Sequence, residues 1–166
     1  MGFVIKIGLL LVLAGLAASL WFGQTASAQL RSPGVVGTGT PASCTETAFT
    51  TTLALGGNAT FNCGSQPFTL TLTQRANVVT NTVLDGGGLA TISGGNSTGL
   101  FDVNTPNSVK FGIQNLTLAN ALSTDQGAGI KSEFATTLTV TNCIFINNVT
   151  TAAITGLYQI RWGTTQ

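Results

Sequence analysis

The chain has 166 residues, of which only 7% are charged, with no histidine and a formal net charge of +1. An ordinary soluble domain has ~25% charged residues, and a chain this neutral lacks the electrostatic footprint that nucleic-acid binding requires. Low charge alone would allow disorder, but aliphatic and β-branched residues are too frequent for that. Together with abundant turn residues, they predict many short strands.

Residues 1–28 have the organisation of a secretory signal peptide. Lys6 precedes an apolar run over residues 7–22, and the small residues Ala26 and Ala28 follow. We predict cleavage between Ala28 and Gln29. The alternative is an uncleaved anchor, although the run is shorter than the ~20 residues that span a bilayer. Either way the protein is expected to be secreted or at the cell surface, with outer-membrane association as one form.

A flexible linker is predicted for residues 29–43 and an N-terminal cap for residues 44–67. Within the cap, Glu46 to Leu55 shows a weak helical periodicity that ends at a pair of glycines. This pattern predicts a short helix, followed by a strand at Ala59–Phe61.

The chain has three cysteines, Cys44, Cys63 and Cys143. Cys44 and Cys63 bracket the predicted helix, and an even pair in an exported chain is expected to form a disulfide. The alternative is two buried free thiols. Three cysteines without histidine do not make a zinc site. Cys143 lies inside an apolar alternation and is predicted to be a small buried hydrophobic residue.

Two stretches, "VKFGIQNLTLAN" and "LTVTNCIFINN", follow the same pattern. In each, apolar residues alternate on both sides of an asparagine, Asn115 or Asn142, and these asparagines are 27 positions apart. Alternation at period 2 predicts a strand with one buried face, and asparagine tolerates the left-handed backbone of a corner. A chain that turns a corner and repeats is coiling, so its strands stack in parallel.

The sequence therefore predicts an all-β parallel β-helix, a solenoid, over residues 68–150, followed by an irregular tail at 151–166. Asp85 lies 30 positions before Asn115 and is predicted to join Asn115 and Asn142 in a ladder of corner residues. The predicted inward residues are Phe68, Leu70, Leu72, Val103, Val109, Phe111, Ile113, Leu116, Leu118, Leu138, Val140, Cys143 and Phe145.

The segments "VLDGGG", "NLTLANA", "GAGI" and "TLTVTNCIFINN" resemble repeats of bacterial exported right-handed parallel β-helix proteins. They are similar to polymorphic outer-membrane protein repeats, in which Gly-Gly-Ala-Ile and Phe-x-x-Asn motifs recur. The segment from Cys44 to Cys63 resembles the cap that opens many such proteins. The resemblance covers roughly Cys44 to Thr150 and implies a pectate-lyase-like fold, which is right-handed. Relatives of this kind have more coils, so we expect a truncated N-terminal portion.

The resemblance allows two function classes, because the same coil carries adhesins and polysaccharide lyases. An enzyme would need clustered carboxylates near a basic residue. The candidates are Glu46, Asp85, Asp102, Asp125 and Glu133, with Arg75, Lys110 and Lys131. No two carboxylates have the one-coil spacing that would stack them. We expect Asp102 to face outward alone, Asp125 to serve a turn, and Lys131 and Glu133 to form a solvated pair.

We therefore predict a non-catalytic secreted or cell-surface protein, adhesive or scaffolding, without catalytic residues, metal or cofactor. The alternative is a pectate-lyase-like polysaccharide lyase or a glycoside hydrolase. The expected partners are glycans or other surface polymers rather than nucleic acid, because the outward strand positions are hydroxyl-bearing and neutral. These positions are Thr69, Thr71, Thr73, Thr117, Thr139 and Thr141. Threonine is also simply favoured in solvated strands. Outward Ile144 and Ile146 predict self-association through an uncapped C-terminal coil.

Overall fold

The computed structural model of the chain describes residues 34–103, 108–132 and 136–151. The predicted signal peptide with its cleavage site between Ala28 and Gln29, and all of the predicted tail except Thr151, lie outside these residues, as does Glu133. The elements, in chain order, are β1 (Gly34–Val36), α1 (Glu46–Leu55), β2 (Gly57–Phe61), β3 (Phe68–Thr71), β4 (Ala76–Asn77), β5 (Thr82–Asp85), β6 (Ala90–Ser93), β7 (Phe101–Val103), β8 (Lys110–Ala119), β9 (Leu122–Ser123), β10 (Ile130–Ser132), β11 (Thr137–Ile146) and β12 (Val149–Thr150).

All pairings between these strands are parallel. The largest sheet has the order β1-β2-β5-β8-β6-β3, and β11 also pairs with β8. Strand β8 is shared, because its first half pairs with β5 and its second half with β6. Two smaller sheets have the orders β10-β7-β4 and β12-β9. The protein is thus mainly β, with a curled parallel sheet and one α-helix among the described residues.

The predicted corner asparagines bend β8 and β11 in the middle. Asn115 has a φ of 52° and Asn142 a φ of 48°, both in the left-handed region. Asn120 and Asn147 adopt the same conformation just beyond the ends of these strands, with φ of 52° and 53°. A single left-handed residue reverses the phase of the side chains, so the apolar residues on both sides of each corner stay inward. The corner prediction is confirmed at Asn115 and Asn142, and the structure adds Asn120 and Asn147 as corners that were not predicted.

The register stacks residues one coil apart, as predicted for the two repeats. Leu116 pairs with Cys143, and Leu118 with Phe145. Eight of the predicted inward residues are buried, and they are Leu70, Leu72, Val103, Val109, Phe111, Ile113, Leu116 and Leu118. The other five, Phe68, Leu138, Val140, Cys143 and Phe145, are only partly buried against that core. Four of these five lie on β11, for which the described residues supply a paired strand on one side only.

The N-terminal cap closes the other end of the core. Helix α1 begins after Thr45, whose hydroxyl accepts a hydrogen bond from the Ala48 N–H at 3.1 Å. Its buried Phe49 stacks against Phe61 and meets Phe101 edge-on, with ring centroids 5.9 and 6.1 Å apart. The helix and the following strand are both confirmed, the strand beginning two residues earlier than predicted.

The predicted disulfide between Cys44 and Cys63 is present and ties the start of α1 to the end of β2, with the two Cα atoms 5.7 Å apart. The linker prediction for residues 29–43 is wrong in its described part. Gly34–Val36 forms β1, which pairs with β2, and Pro41–Ser43 form a 3-10 turn. Three residues are too few to show a strand periodicity in the sequence, so only the pairing with β2 defines this strand.

Candidate functional site

The structure brings the three predicted ladder residues together. The Asn142 side-chain amide donates to Oδ1 of Asn115 at 2.9 Å, and the Asn115 amide donates to Oδ1 of Asp85 at 3.0 Å. The Asp85 carboxylate also accepts from the Gln114 amide at 2.8 Å and from the Gly87 N–H at 2.9 Å. Burial raises the pKa of Asp85, but these hydrogen bonds lower it by more, so it lies below its ordinary value. These donors are backbone and side-chain groups of the protein itself.

The position of Asp85 in the ladder differs from the prediction by one residue. Its register partner is Gln114, not Asn115. The left-handed conformations after Asp85 fall on Gly87 and Gly88, with φ of 61° and 74°. Asp85 therefore ends a strand and holds the glycine turn, whereas Asn115 and Asn142 are the corner residues themselves. The glycine turn after Asp85 and the corners at Asn115 and Asn142 differ in length. The side chains of these three residues nevertheless lie within hydrogen-bond distance of one another along the ladder.

A second group of polar residues lies on the sheet formed by β4, β7 and β10 and in the turn before β10. We call Asn77, Asp102, Asp125 and Lys131 the charged face. Asn77, Asp102 and Lys131 are in register across the three strands. Neighbouring strands lie ~4.8 Å apart, so residues in register are close neighbours. Asp102 is therefore not alone, contrary to the prediction. The sequence missed this row because its residues are separated by turns of different length.

Lys131 on the charged face forms an ion pair with Asp125, with 2.6 Å between Nζ and Oδ2. The partner expected from the sequence, Glu133, lies outside the described residues. Hydrogen bonding to Lys131 and to the Gln126 N–H lowers the pKa of Asp125. Asp125 also accepts that N–H at 2.7 Å, which is the turn role predicted for it.

Asp102 has a feature that the other described carboxylates lack. Its Oδ1 atom is buried and has no hydrogen-bond partner among the described residues. A buried carboxylate oxygen without a donor is costly for a folded protein, so such an atom marks a place where a ligand that donates a hydrogen bond would be favourable.

Arg75, which the sequence offered only as a basic residue for a possible active site, connects the turns beside the charged face. Its guanidinium donates to the carbonyl oxygens of Phe101 at 3.3 Å and Gly127 at 2.9 Å, and to the hydroxyl of Ser123. A side chain at Gly99 would collide with the guanidinium. The signal in the sequence was the spacing. Phe101 and Gly127 follow Arg75 by 26 and 52 residues, which is about one and two lengths of the repeat. Because its two terminal nitrogens donate to groups of the protein itself, Arg75 serves the structure here.

A shallow groove lies on the outward face of the sheet formed by β5, β8 and β11. We call it the threonine groove; its volume is about 300 Å³ and its outward-facing residues are Val83, Lys110, Gly112, Gln114, Thr137, Thr139 and Thr141. Val83, Gly112 and Thr139 form one row across the three strands. A Cβ atom at Gly112 would lie 3.3 Å from Cγ2 of Val83, so the glycine keeps the row open.

The outward orientation predicted for the threonines is confirmed. Thr69, Thr71, Thr73, Thr139 and Thr141 are exposed, and Thr117 is half-buried. The groove residues Thr139 and Thr141 are in register with Gly112 and Gln114 of β8. The groove therefore offers hydroxyl groups, one amide and one ammonium group, that of Lys110, on a nearly neutral surface.

Two further residues considered in the sequence are Glu46 and Cys143. The Glu46 carboxylate accepts from the Thr73 N–H and hydroxyl, both at 2.8 Å, and from the Gln74 N–H at 3.3 Å. Burial raises the pKa of Glu46, but these bonds outweigh it and lower the pKa overall. Burial also raises the pKa of the Cys143 thiol, which opposes its use as a thiolate nucleophile.

Within the described ranges, no group of three or more histidine, cysteine, aspartate or glutamate residues is placed to hold a metal ion. In the same part of the chain, no helix has the length and apolarity needed to cross a membrane. No family model, no curated protein and no solved structure matches the chain.

Proposed function

We propose that this chain is a non-catalytic, exported surface protein, a right-handed parallel β-helix that acts as a scaffold or adhesin. One observation supports this best. Three of its carboxylates form hydrogen bonds or an ion pair within the protein, while its exposed strand faces present hydroxyl groups. Asp85 holds the glycine turn, Glu46 locks α1 to the turn after β3, and Asp125 pairs with Lys131. Carboxylates with these structural partners are poorly suited to acid–base chemistry on a substrate.

The right-handed β-helix is supported by the parallel pairing and by the corners. Successive strands of one sheet are joined by crossover connections, and such connections are right-handed in nearly all proteins. The repeated alternation of sheet, corner and sheet in β8 and β11 supports the coil proposed from the sequence. Its resemblance to exported outer-membrane repeats adds to this proposal.

Export is proposed from the predicted signal peptide and supported by the disulfide, because disulfides persist in oxidising compartments. Mass spectrometry of the mature product, expressed with its full N-terminus, provides the test. We expect a mature chain beginning at Gln29. A product that retains Met1 would contradict cleavage while leaving the fold proposal intact.

The threonine groove is proposed as the surface that contacts a neutral glycan. Its hydroxyls can donate and accept hydrogen bonds, and its low charge removes the attraction for phosphate that nucleic-acid binding needs. The stem of Val83, which is 40% exposed, provides an apolar floor against which a sugar ring can pack. Lys110 at one end would tolerate a carboxylate on the polymer.

Retention on immobilised neutral and acidic polysaccharides tests this surface. We expect the wild type to be retained on at least one polymer and the double variant Thr139→Val and Thr141→Val to be retained less. The matched control is Thr69→Val with Thr71→Val, which removes two exposed hydroxyls from β3, outside the groove. Equal retention of the two double variants would exclude the groove as the contact surface.

A second function, a carbohydrate-active enzyme of the pectate-lyase-like kind, is favoured by one observation only. The buried Oδ1 of Asp102 lacks a donor, and Asp102 lies in register with Lys131, which carries Asp125 beside it. A carboxylate next to an ammonium group is the combination that cleavage of a polyuronate would use.

An assay for unsaturated or reducing sugar ends, on pectin and other polyuronates with and without calcium, decides between the two functions. The scaffold proposal predicts no turnover under any condition. Turnover that is abolished by Asp102→Asn would establish the enzyme instead. Asp85→Asn is the control, because Asp85 lies on another sheet and its loss should affect stability rather than activity.

A further inference from the structure

Strand β11 leaves one of its edges unpaired within the part of the chain that the structure describes. It runs for ten residues and pairs with β8 alone. The Thr137 N–H donates to Val109, and the Ile146 carbonyl accepts from Asn120, so both residues direct backbone groups toward β8. Backbone groups alternate sides along a strand. The groups that point to the open edge are therefore those of the inward residues Leu138, Val140, Cys143 and Phe145.

The same four residues form an apolar row that is only half covered. Each is partly buried, whereas their register partners on β8, Phe111, Ile113, Leu116 and Leu118, are no more than 3% exposed. Next to this row, Ile144 and Ile146 are 54% and 45% exposed. A long strand with free backbone groups and an uncovered apolar row is a template for the addition of another strand.

The edge also lacks the features that normally prevent such pairing. Proteins protect edge strands with charged residues or proline. From Thr136 to Thr151 there is no aspartate, glutamate, lysine, arginine or proline. At the other end of the core, the buried Phe49 anchors α1 against the aromatic residues of β2 and β7. A head-to-tail stack of two copies would have to displace this helix.

We infer that two copies of this chain pair through β11, antiparallel and related by a twofold axis. In the register that fits, Leu138 lies opposite Phe145 of the second copy, and Val140 opposite Cys143 of the second copy. The twofold axis repeats both contacts. This register places inward residues against inward residues, and it joins the open backbone groups in hydrogen-bonded pairs. Such a dimer does not depend on the proposed function.

Cross-linking tests the register. Residues opposite each other in a hydrogen-bonded antiparallel pair have Cα atoms ~5.5 Å apart, within the range that a disulfide spans. The variant Val140→Cys should therefore form an intermolecular disulfide with Cys143 on oxidation. The wild type should not, because the two Cys143 residues of the dimer lie about three strand positions apart, roughly 10 Å. Thr139→Cys is the control, because its opposite residue is Ile144 of the second copy.

Sedimentation velocity of the full chain at tens of micromolar tests the assembly itself. We expect a single dimer species for the wild type. Val140→Pro removes an N–H that does not serve β8, and by symmetry two hydrogen bonds of the dimer, so dimerisation should weaken at least about tenfold. Thermal melting of each variant checks that it is folded.

A second variant covers the case in which proline disturbs β11. Leu138→Lys places an inward charge that stays half-exposed in the monomer but would be buried in the dimer, and it should also abolish dimerisation. Val35→Lys, at an aliphatic residue that is 51% exposed on β1, should leave the dimer unchanged. A strictly monomeric wild type, an open-ended series of larger species, or cross-linking by Thr139→Cys instead of Val140→Cys would each overturn the inference.

Discussion

The side-chain amide of Asn142 donates a hydrogen bond to Oδ1 of Asn115, a residue 27 positions earlier in the chain, at 2.9 Å. Both asparagines have left-handed backbone angles, so one residue type both forms the corner and joins the paired strands β8 and β11. Asp85 continues the ladder by accepting from Asn115. The ladder is therefore part of the frame that stacks the strands, and it accounts for the asparagine repeat without any catalytic role.

Substitution of Asn115 separates its two tasks. Asn115→Gly and Asn115→Ala both lose the bonds to Asp85 and Asn142, but alanine must also adopt a φ of 52°. A left-handed backbone costs a residue with a Cβ roughly 1–2 kcal/mol. We expect both variants to be less stable than the wild type in urea, with alanine the less stable by about 1 kcal/mol. At Thr117, in extended backbone, the order should reverse, since glycine weakens strands. Equal stability of the two Asn115 variants would contradict the corner role.

Asp85 should make stability depend on pH. Because its folded pKa is lowered, the stabilisation is present above the unfolded pKa of ~3.9 and is lost as the pH falls through the folded value. Asp85→Asn replaces a carboxylate oxygen, which accepts hydrogen bonds, by an amide nitrogen, which donates them. This nitrogen would face other donors, so the substitution should lower the free energy of unfolding by about 1–3 kcal/mol at neutral pH.

Urea unfolding at several pH values measures the effect of Asp85→Asn. The difference between variant and wild type should shrink as the pH falls and the wild-type carboxyl takes up its proton. Asp125→Asn is the control: its side chain is 61% exposed, so its loss should change stability little. A difference that stays constant down to acid pH would show that the ionised carboxylate of Asp85 is not what stabilises the turn.

Reduction of the disulfide should destabilise the cap. The bridge joins residues 19 positions apart, and removal of a native disulfide typically costs about 2–4 kcal/mol. Thiol titration in denaturant should count one thiol, that of Cys143, before reduction and three afterwards. The double variant Cys44→Ala with Cys63→Ala should melt at the temperature of the reduced wild type. Three reactive thiols without reductant would show that the bridge does not form.

Leu116→Asp should unfold the protein. Leu116 is 3% exposed and packs at the centre of the stacked strands, so the substitution would bury a charge without a partner. Circular dichroism should show loss of the strand signal, and size exclusion should show expansion. The control is Thr117→Asp, an outward substitution at the next residue, which should remain folded. A folded Leu116→Asp variant would mean that this row is not the core.

Much of the fold could be predicted from local patterns. The alternation of apolar residues determines which side chains of β8 and β11 point inward, because period 2 is a property of the strand itself. The corners at Asn115 and Asn142 follow from one residue type that tolerates the left-handed backbone. The helix over Glu46–Leu55 and the Cys44–Cys63 bridge follow from composition and compartment in the same local way.

Apart from the asparagine ladder, which the 27-residue repeat predicted, the encounters between polar residues could not be predicted, because they depend on the lengths of the intervening turns. Arg75 meets Phe101 after 26 residues, Asp85 meets Gln114 after 29, and Asn115 meets Asn142 after 27. A shift of one position moves a strand residue to the opposite face, so a spacing estimated from one repeat does not transfer to the next. The sequence by itself therefore determined the inward and outward faces. Only the tertiary structure decided that Asp102 lies beside Asn77 and Lys131. The turns between these residues differ in length and do not define the register of their strands, so the register is set by the way the strands stack.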